Sequence, residues 1–81
     1  MIELRFHEEL YDGFAVDEAV KVYAGFASAE LARAGEAYLV RLSASPDALA
    51  EGLDEATIAA ELANYALGKT IERSRQPEVA G

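Results

Sequence analysis

Residues 29–43 read AELARAGEAYLVRLS, and this stretch decides the fold. Apolar side chains occupy every second position in its later half, which is the period of a β-strand. Ala34 and Gly35 interrupt the pattern, and a small residue followed by glycine is typical of a tight turn. The stretch therefore predicts a β-hairpin with strands at 29–33 and 36–43.

The alternation also predicts the pairing of the two strands and their two faces. With Ala34 and Gly35 in the turn, Arg33 pairs with Glu36, and the register continues through Leu31 with Tyr38 and Ala29 with Val40. The face toward the core is then Leu31, Tyr38, Val40 and Leu42. The opposite face is Glu30, Ala32, Leu39, Arg41 and Ser43.

A third strand and two helices flank the hairpin. Residues 2–7 alternate between apolar and charged side chains, which predicts a half-buried strand before a turn at 11–13. From Val16 onward the apolar spacing becomes helical. A second helix is predicted from Asp54 and Glu55 to about Ser74, and Pro77 ends it. Its apolar stripe is predicted to include Ala56, Ile58, Ala60, Leu62, Ala63, Tyr65, Leu67 and Ile71, with Gly68 allowing a close approach or a bend.

The element order is therefore β-α-β-β-α, in an α+β protein. A right-handed crossover through the first helix favours a split β-α-β arrangement, in which the third strand lies between the other two. We expect a three-stranded antiparallel sheet with two helices on one face, ferredoxin-like but lacking the fourth strand. One domain spans residues 1–76, followed by a frayed tail at 77–81.

Composition excludes several classes of function. The 81 residues carry a net charge of −8, whereas nucleic-acid binding needs a basic patch. No cysteine is present for disulfides or thiolate chemistry, no apolar run is long enough to span a bilayer, and the alternating, charged start is unlike a signal peptide. We therefore expect a cytoplasmic protein that contacts neither membrane nor nucleic acid.

Catalytic and metal-binding candidates are few. His7 is the sole histidine and lies on the outward face of its strand, where a solvated side chain is the simplest reading. Glu8, Glu9 and Asp12 lack the ordered spacing of a calcium loop. Gly13 and Gly25 do not frame a phosphate-binding loop. The sequence thus predicts no catalytic residue, no cofactor and no metal, and hence no enzyme.

Two groups of residues are candidates for protein binding. On the second helix Tyr65, Lys69, Glu72 and Arg73 form a stripe of one ring and three charges, which is either an ordinary exposed face or a recognition surface. On the first strand, residues Glu3, Arg5 and His7 mark an edge with unpaired backbone groups. The edge either remains unpaired in a monomer, pairs with a strand of a partner protein, or pairs with a second copy of the chain in a homodimer.

The spacing of several residues resembles the His-Xaa-Ser system protein HxsD family over roughly residues 4–75. The matching positions are Leu4, Phe6, Leu10, Tyr11, Val16, Ala19, Val20, Tyr23, Tyr38, Val40, Leu42, Glu61, Asn64, Leu67, Ile71, Glu72 and Arg73. Members are small companions of radical SAM maturation enzymes and of a protein bearing His-Xaa-Ser repeats. His7-Glu8-Glu9 is not such a repeat, so the resemblance implies an accessory factor and not the modified substrate.

Two functions therefore remain open. The first is a non-enzymatic accessory or adaptor protein that binds a radical SAM maturase or its peptide substrate. The alternative is a self-assembling structural module that forms a homo-oligomer through strand 2–7, with no link to peptide maturation.

Overall fold

The structure is a computed structural model that describes residues 1–74. Within them lie three strands and three helices: β1 (Ile2–His7), α1 (Gly13–Val22), β2 (Ala27–Ala34), β3 (Ala37–Ala44), α2 (Pro46–Ala50) and α3 (Glu55–Ser74). Pro77 and the predicted tail at 77–81 lie outside the described residues. No helix in the described part is long and apolar enough to cross a membrane.

The strands form one sheet in the order β1-β3-β2, and both pairs are antiparallel. The central position suits β3, because a strand with two neighbours keeps little of its surface in water. Val40 and Leu42 of β3 are fully buried, and Leu39 on the opposite face is half-buried. The predicted α+β fold with the third strand in the middle is confirmed.

The predicted hairpin register is wrong by two residues. Gly35 and Glu36 form the loop, so Ala34 pairs with Ala37 and Arg33 with Tyr38. Gly35 has φ of 62°, whereas no non-glycine residue among the described ones has a positive φ. A glycine at the first loop position suits a type II′ turn, whereas the predicted turn would have put Ala34 there.

The shift moves each pairing by two residues and therefore leaves the faces unchanged. Val40 and Leu42 face the core as predicted, and Arg41 is exposed on the other side. Tyr38 is only half-buried. Leu31 is 38% exposed, so its predicted burial is wrong. Leu31 lies on the edge strand β2, which has no strand beyond it in the described chain.

Local hydrogen bonds set where the helices begin. Asp12 caps α1, accepting from the Phe14 amide, so this helix begins before the predicted Val16. Ser45 accepts from the Ala48 amide, and together with Pro46 it starts the short α2 in the predicted loop.

The helices cover one face of the sheet. α3 packs against β1 and β3, and α1 lies against α3 and touches β2 and β3. The largest fully buried side chains are Leu42, Leu62, Val16 and Val40. This arrangement places the core over β1 and β3 and leaves β2 the least covered strand.

The buried face of α3 is narrower than the predicted apolar stripe. Ile58, Ala59, Leu62 and Ala66 are buried, whereas Leu67 and Ile71 are 42% and 43% exposed. A methyl group added at Gly68 would meet no atom within 4 Å, so this glycine makes no close approach. The outer side of α3 therefore carries two large apolar side chains in water.

Candidate functional site

Three of the four predicted recognition residues on α3 contact α1. The Tyr65 hydroxyl donates to Glu18 Oε2 at 2.9 Å, and Lys69 Nζ lies 3.4 Å from the same oxygen. Arg73 forms an ion pair with Asp12, and its guanidinium lies 4.9 Å from the centre of the Phe14 ring. These side chains join the two helices at their surface.

The fourth residue, Glu72, is exposed and lies 3.5 Å from Lys69. The contact between the helices continues at Thr70, whose hydroxyl oxygen accepts from the Asp12 amide at 3.0 Å and donates to the Ala66 carbonyl. The inner edge of the predicted stripe is therefore a contact between the two helices, called the seam here, formed by Tyr65, Lys69, Thr70 and Arg73 with Asp12 and Glu18. The role of the stripe in partner binding stays a prediction.

Charge at this seam shifts three pKa values. The hydrogen bond from Tyr65, followed by that from Lys69, lowers the pKa of Glu18. The bond to Glu18 raises the pKa of the Tyr65 hydroxyl and of the Lys69 amine. All three groups are at least partly exposed to water, which screens them, so each single contact adds only a little to the stability of the fold.

The β1 edge presents the predicted residues as an alternating row. Glu3, Arg5 and His7 are exposed, and Glu3 accepts from Arg41 of the neighbouring strand at 3.1 Å. The Glu8 amide donates to the Glu36 carbonyl. This bond determines which residues of β1 form backbone hydrogen bonds with β3. Because such bonding alternates along an antiparallel pair, the amides of Glu3, Arg5 and His7 and the carbonyls of Glu3 and Arg5 point away from the sheet. The His7 carbonyl instead accepts from the Leu10 and Tyr11 amides of the following turn.

The β2 edge is a second open row, which was not predicted as a site from the sequence. The Ser45 amide donates to the Phe26 carbonyl at 2.9 Å, which fixes the alternation along β2 and β3. The amides and carbonyls of Ala29, Leu31 and Arg33 therefore point outward. Only two of the eight residues of β2, Glu30 and Arg33, are charged, so this edge is weakly protected.

A cleft of about 400 Å³ opens between this edge and α1. Close packing shapes it, because a methyl group at Gly13 would come within 2.8 Å of the Tyr38 hydroxyl. Phe14, at 71% exposure, forms one wall. The lining residues are Asp12, Gly13, Phe14, Asp17, Leu31 and Tyr38.

Sequence reasoning missed the cleft because its residues come from three separated segments. One signal was present: Phe14 follows a helix-capping aspartate, and a large ring at the first turn of a helix is conspicuous when it is not part of the apolar stripe. The predicted helix start at Val16 left Phe14 in a loop, which hid this signal.

Two of the acidic residues near the turn after β1, Glu8 and Asp12, are engaged in ion pairs. Glu8 pairs with Arg33 and Asp12 with Arg73. Among residues 1–74, no group of three or more histidine, cysteine, aspartate or glutamate side chains is placed to hold a metal ion. His7 is exposed and accepts a long contact from the Glu9 amide at 3.5 Å.

No protein-family model, no curated protein and no solved structure matches this chain. The resemblance to the HxsD family thus rests on the residue spacings alone.

Proposed function

We propose that this chain is a non-enzymatic adaptor that binds another protein through an edge of its sheet. The observation that carries the proposal is the pair of open edges: within residues 1–74, β1 and β2 each pair with β3 alone. Open edges in natural proteins are usually covered, shortened or heavily charged, because they recruit further strands. A partner strand added here would complete the sheet with main-chain hydrogen bonds.

The proposed partner is a radical SAM maturation enzyme or its peptide substrate, in the cytoplasm. The HxsD-like spacing supports this choice of system. An extended peptide substrate suits strand addition, because its backbone is free to pair along the edge. The adaptor itself supplies no catalytic group, cofactor or metal in this proposal. It positions the peptide or the enzyme.

The first test is the gene neighbourhood together with a binding experiment. The chain is mixed with the radical SAM enzyme encoded beside its gene and passed over a size-exclusion column. Co-elution that is lost in an edge variant, either Arg5→Pro on β1 or Ala29→Pro on β2, supports the adaptor role. A gene neighbourhood without such an enzyme, or co-elution that both variants retain, contradicts it.

A second candidate function is self-assembly through β1, and one geometric observation favours it. Two β1 strands related by a two-fold axis pair antiparallel. In the register that places Leu4 opposite its own copy, Glu3 faces Arg5 of the second copy, twice. The backbone groups of Glu3 and Arg5 also point outward. The register that pairs their charges therefore also allows hydrogen bonds between the two strands.

Charge variants test this assembly by light scattering at high concentration. Arg5→Glu and Glu3→Arg each place like charges across the axis, so each variant alone is expected to be monomeric. An equimolar mixture restores opposite charges at both pairs and is expected to form a heterodimer. Arg5→Pro removes an outward amide and is expected to remain monomeric in any mixture. A monomeric wild type, or dimers that ignore all three changes, contradicts the assembly.

A further inference from the structure

The β2 edge and the cleft beside α1 form one continuous surface, defined here as the groove. Leu31 belongs to both: its backbone amide and carbonyl point out of the sheet edge, and its side chain lines the cleft. A strand added to β2 would therefore run alongside α1. Every second side chain of that strand would face the helix layer.

We infer that the groove binds an extended peptide segment that carries a large apolar or aromatic residue and a lysine or arginine two positions away. The inference rests on the proposed adaptor function, for which it names the site and the partner chemistry. The main chain of the peptide pairs with Ala29, Leu31 and Arg33 of β2. The apolar side chain enters the cleft, and the basic side chain faces Asp17.

The cleft accounts for the apolar anchor. Three of its lining side chains, Phe14, Leu31 and Tyr38, are apolar or aromatic, and its volume of about 400 Å³ admits one large side chain. Phe14 is exposed over most of its surface, and a buried aromatic contact is a usual source of interface affinity. An added strand places a helix-facing residue beside Leu31, directly at this cleft.

The spacing along α1 accounts for the basic residue. Phe14 and Asp17 are three residues apart, which is about 4.5 Å along a helix, and helix-facing residues on a strand recur every ~7 Å. A long lysine or arginine side chain spans the difference. The present partner of Asp17 is Lys21 at 2.9 Å, in an exposed pair one helical turn apart, and such pairs are weak enough to exchange.

Charge also favours a cationic peptide over a second copy of this chain. The net charge of −8 attracts basic segments and repels another copy. Two β2 strands paired about a two-fold axis at Leu31 would place Glu30 opposite Ala32, with no opposite charge across the axis. The β1 edge, in contrast, is self-complementary, so the two edges suit different occupants.

The experiment selects peptides from a phage-displayed library of random sequences about twelve residues long, which exceeds the length of the β2 edge. The immobilised wild-type chain is the bait, and an unrelated acidic protein is the counter-selection. Selected peptides are then synthesised and titrated by fluorescence anisotropy. We expect them to share an aromatic or large apolar residue two positions from a lysine or arginine.

Variants locate the binding. Ala29→Pro removes an outward amide without removing a bond to β3, and Phe14→Ala removes a cleft wall; each is expected to weaken binding about tenfold or more. Asp17→Asn is expected to weaken binding severalfold and to reduce its dependence on salt. Arg5→Pro, the matched proline on the other edge, is expected to leave the affinity unchanged. Circular dichroism checks the fold of each variant, and Phe14→Ala and Asp17→Asn decide the question if Ala29→Pro is unfolded.

The outcomes separate this inference from the adaptor proposal. Peptides that bind unaffected by changes in β2 and the cleft but lose binding in Arg5→Pro overturn the groove and keep an adaptor acting through β1. If no peptide is enriched, the inference that the groove binds a peptide is wrong. The size-exclusion experiment with the maturase then tests the adaptor function separately. Self-association that Ala29→Pro abolishes also overturns the inference, because a second copy is then the occupant.

Discussion

Gly35 and Gly68 differ in whether the backbone conformation requires a glycine. Gly35 begins the hairpin loop with φ of 62°, a conformation that costs other L-residues energy. Gly68 sits in the exposed part of α3, where an added methyl group meets nothing within 4 Å. The first glycine is therefore required by the backbone, and the second only weakens its helix.

Alanine substitutions at these two sites should change stability in opposite directions. Gly35→Ala is expected to lower the free energy of unfolding by about 1–2 kcal/mol, because of strain at positive φ. Gly68→Ala is expected to raise it by up to about 1 kcal/mol through better helix propensity. Urea denaturation measures both, and each variant controls for the other. A stabilising Gly35→Ala would contradict the turn geometry.

Glu18 gives the seam between the helices a dependence on pH. Its pKa lies below the ordinary 4.5, chiefly through the hydrogen bond from Tyr65. A carboxyl with a lowered folded-state pKa stabilises the fold above its unfolded pKa, and this contribution is lost as the pH falls through the folded pKa. The raised pKa values of Tyr65 and Lys69 act at alkaline pH, where stability is lost as the pH rises through them.

Replacement Glu18→Gln tests this linkage. We expect the variant to be slightly less stable than the wild type at pH 7 and equally stable well below pH 4.5, where Glu18 is protonated in both states. Thermal melts across an acid series measure the difference. Asp17→Asn, the neighbouring change outside the seam, is the control. A difference that persists unchanged at low pH would show that the charge of Glu18 plays no part.

At the residue scale, the sequence predicts faces better than pairings. Alternation alone assigned Val40, Leu42 and Arg41 to their faces correctly, because a shift of two residues preserves the period of a strand. The loop position depended on whether Ala34 or Gly35 came first in the turn. The choice between these two loop positions is decided by the backbone conformation of the turn, which the sequence does not specify.

Among the elements, α3 carries leucine on both its buried side and its exposed side. Leu62 is fully buried against the sheet, whereas Leu67 is 42% exposed on the outer side of the same helix. The predicted stripe merged the two sides, because alanine and leucine are common on both. The two sides of α3 differ in burial, so the same substitution at Leu62 and at Leu67 makes a matched pair.

Leu62→Ala is expected to lower the free energy of unfolding by about 2–5 kcal/mol through lost contacts and a cavity. Leu67→Ala carries the same change in helix propensity but removes no core contact, so its cost should stay below about 1 kcal/mol. Urea denaturation of both variants gives the comparison. Equal losses at the two sites would contradict the orientation of α3.

The predicted recognition stripe leads to a test on the same helix. Replacing Tyr65, Lys69 and Arg73 together with alanine should lower the melting temperature by several degrees, because all three contact α1. Glu72→Ala, at the exposed neighbour, is the control and should change it little. Unchanged stability with weakened peptide binding would instead support the recognition role predicted from the sequence.

Helix boundaries were only partly predictable, for reasons visible in the caps. The start of α3 followed from Asp54, which accepts from the Thr57 amide at 2.8 Å. The same kind of signal was present at Asp12 and at Ser45-Pro46, but each stood beside turn-forming residues that favoured a loop. Competing local signals of similar strength were resolved by tertiary packing.

In the whole molecule, the topology was predictable because it follows from a few strong rules. The apolar residues on both faces of β3 required a central strand, and the handedness of the crossover then fixed the order. The groove was not predictable in this way. It depends on Phe14, Leu31 and Tyr38 meeting across the fold, and no spacing along the chain indicates that meeting.

If this chain binds protein through an open sheet edge, as we propose, the bound partner should protect the amides of that edge from exchange. Residue-resolved amide hydrogen exchange tests it directly, with the chain alone and saturated with the tightest peptide from the library. In the free chain the amides of Ala29, Leu31 and Arg33 point to water, and on binding they should exchange at least about tenfold more slowly. The amides of Glu3, Arg5 and His7 on the other edge serve as the internal comparison. Saturating peptide that leaves the exchange rates of both edges unchanged would contradict the account.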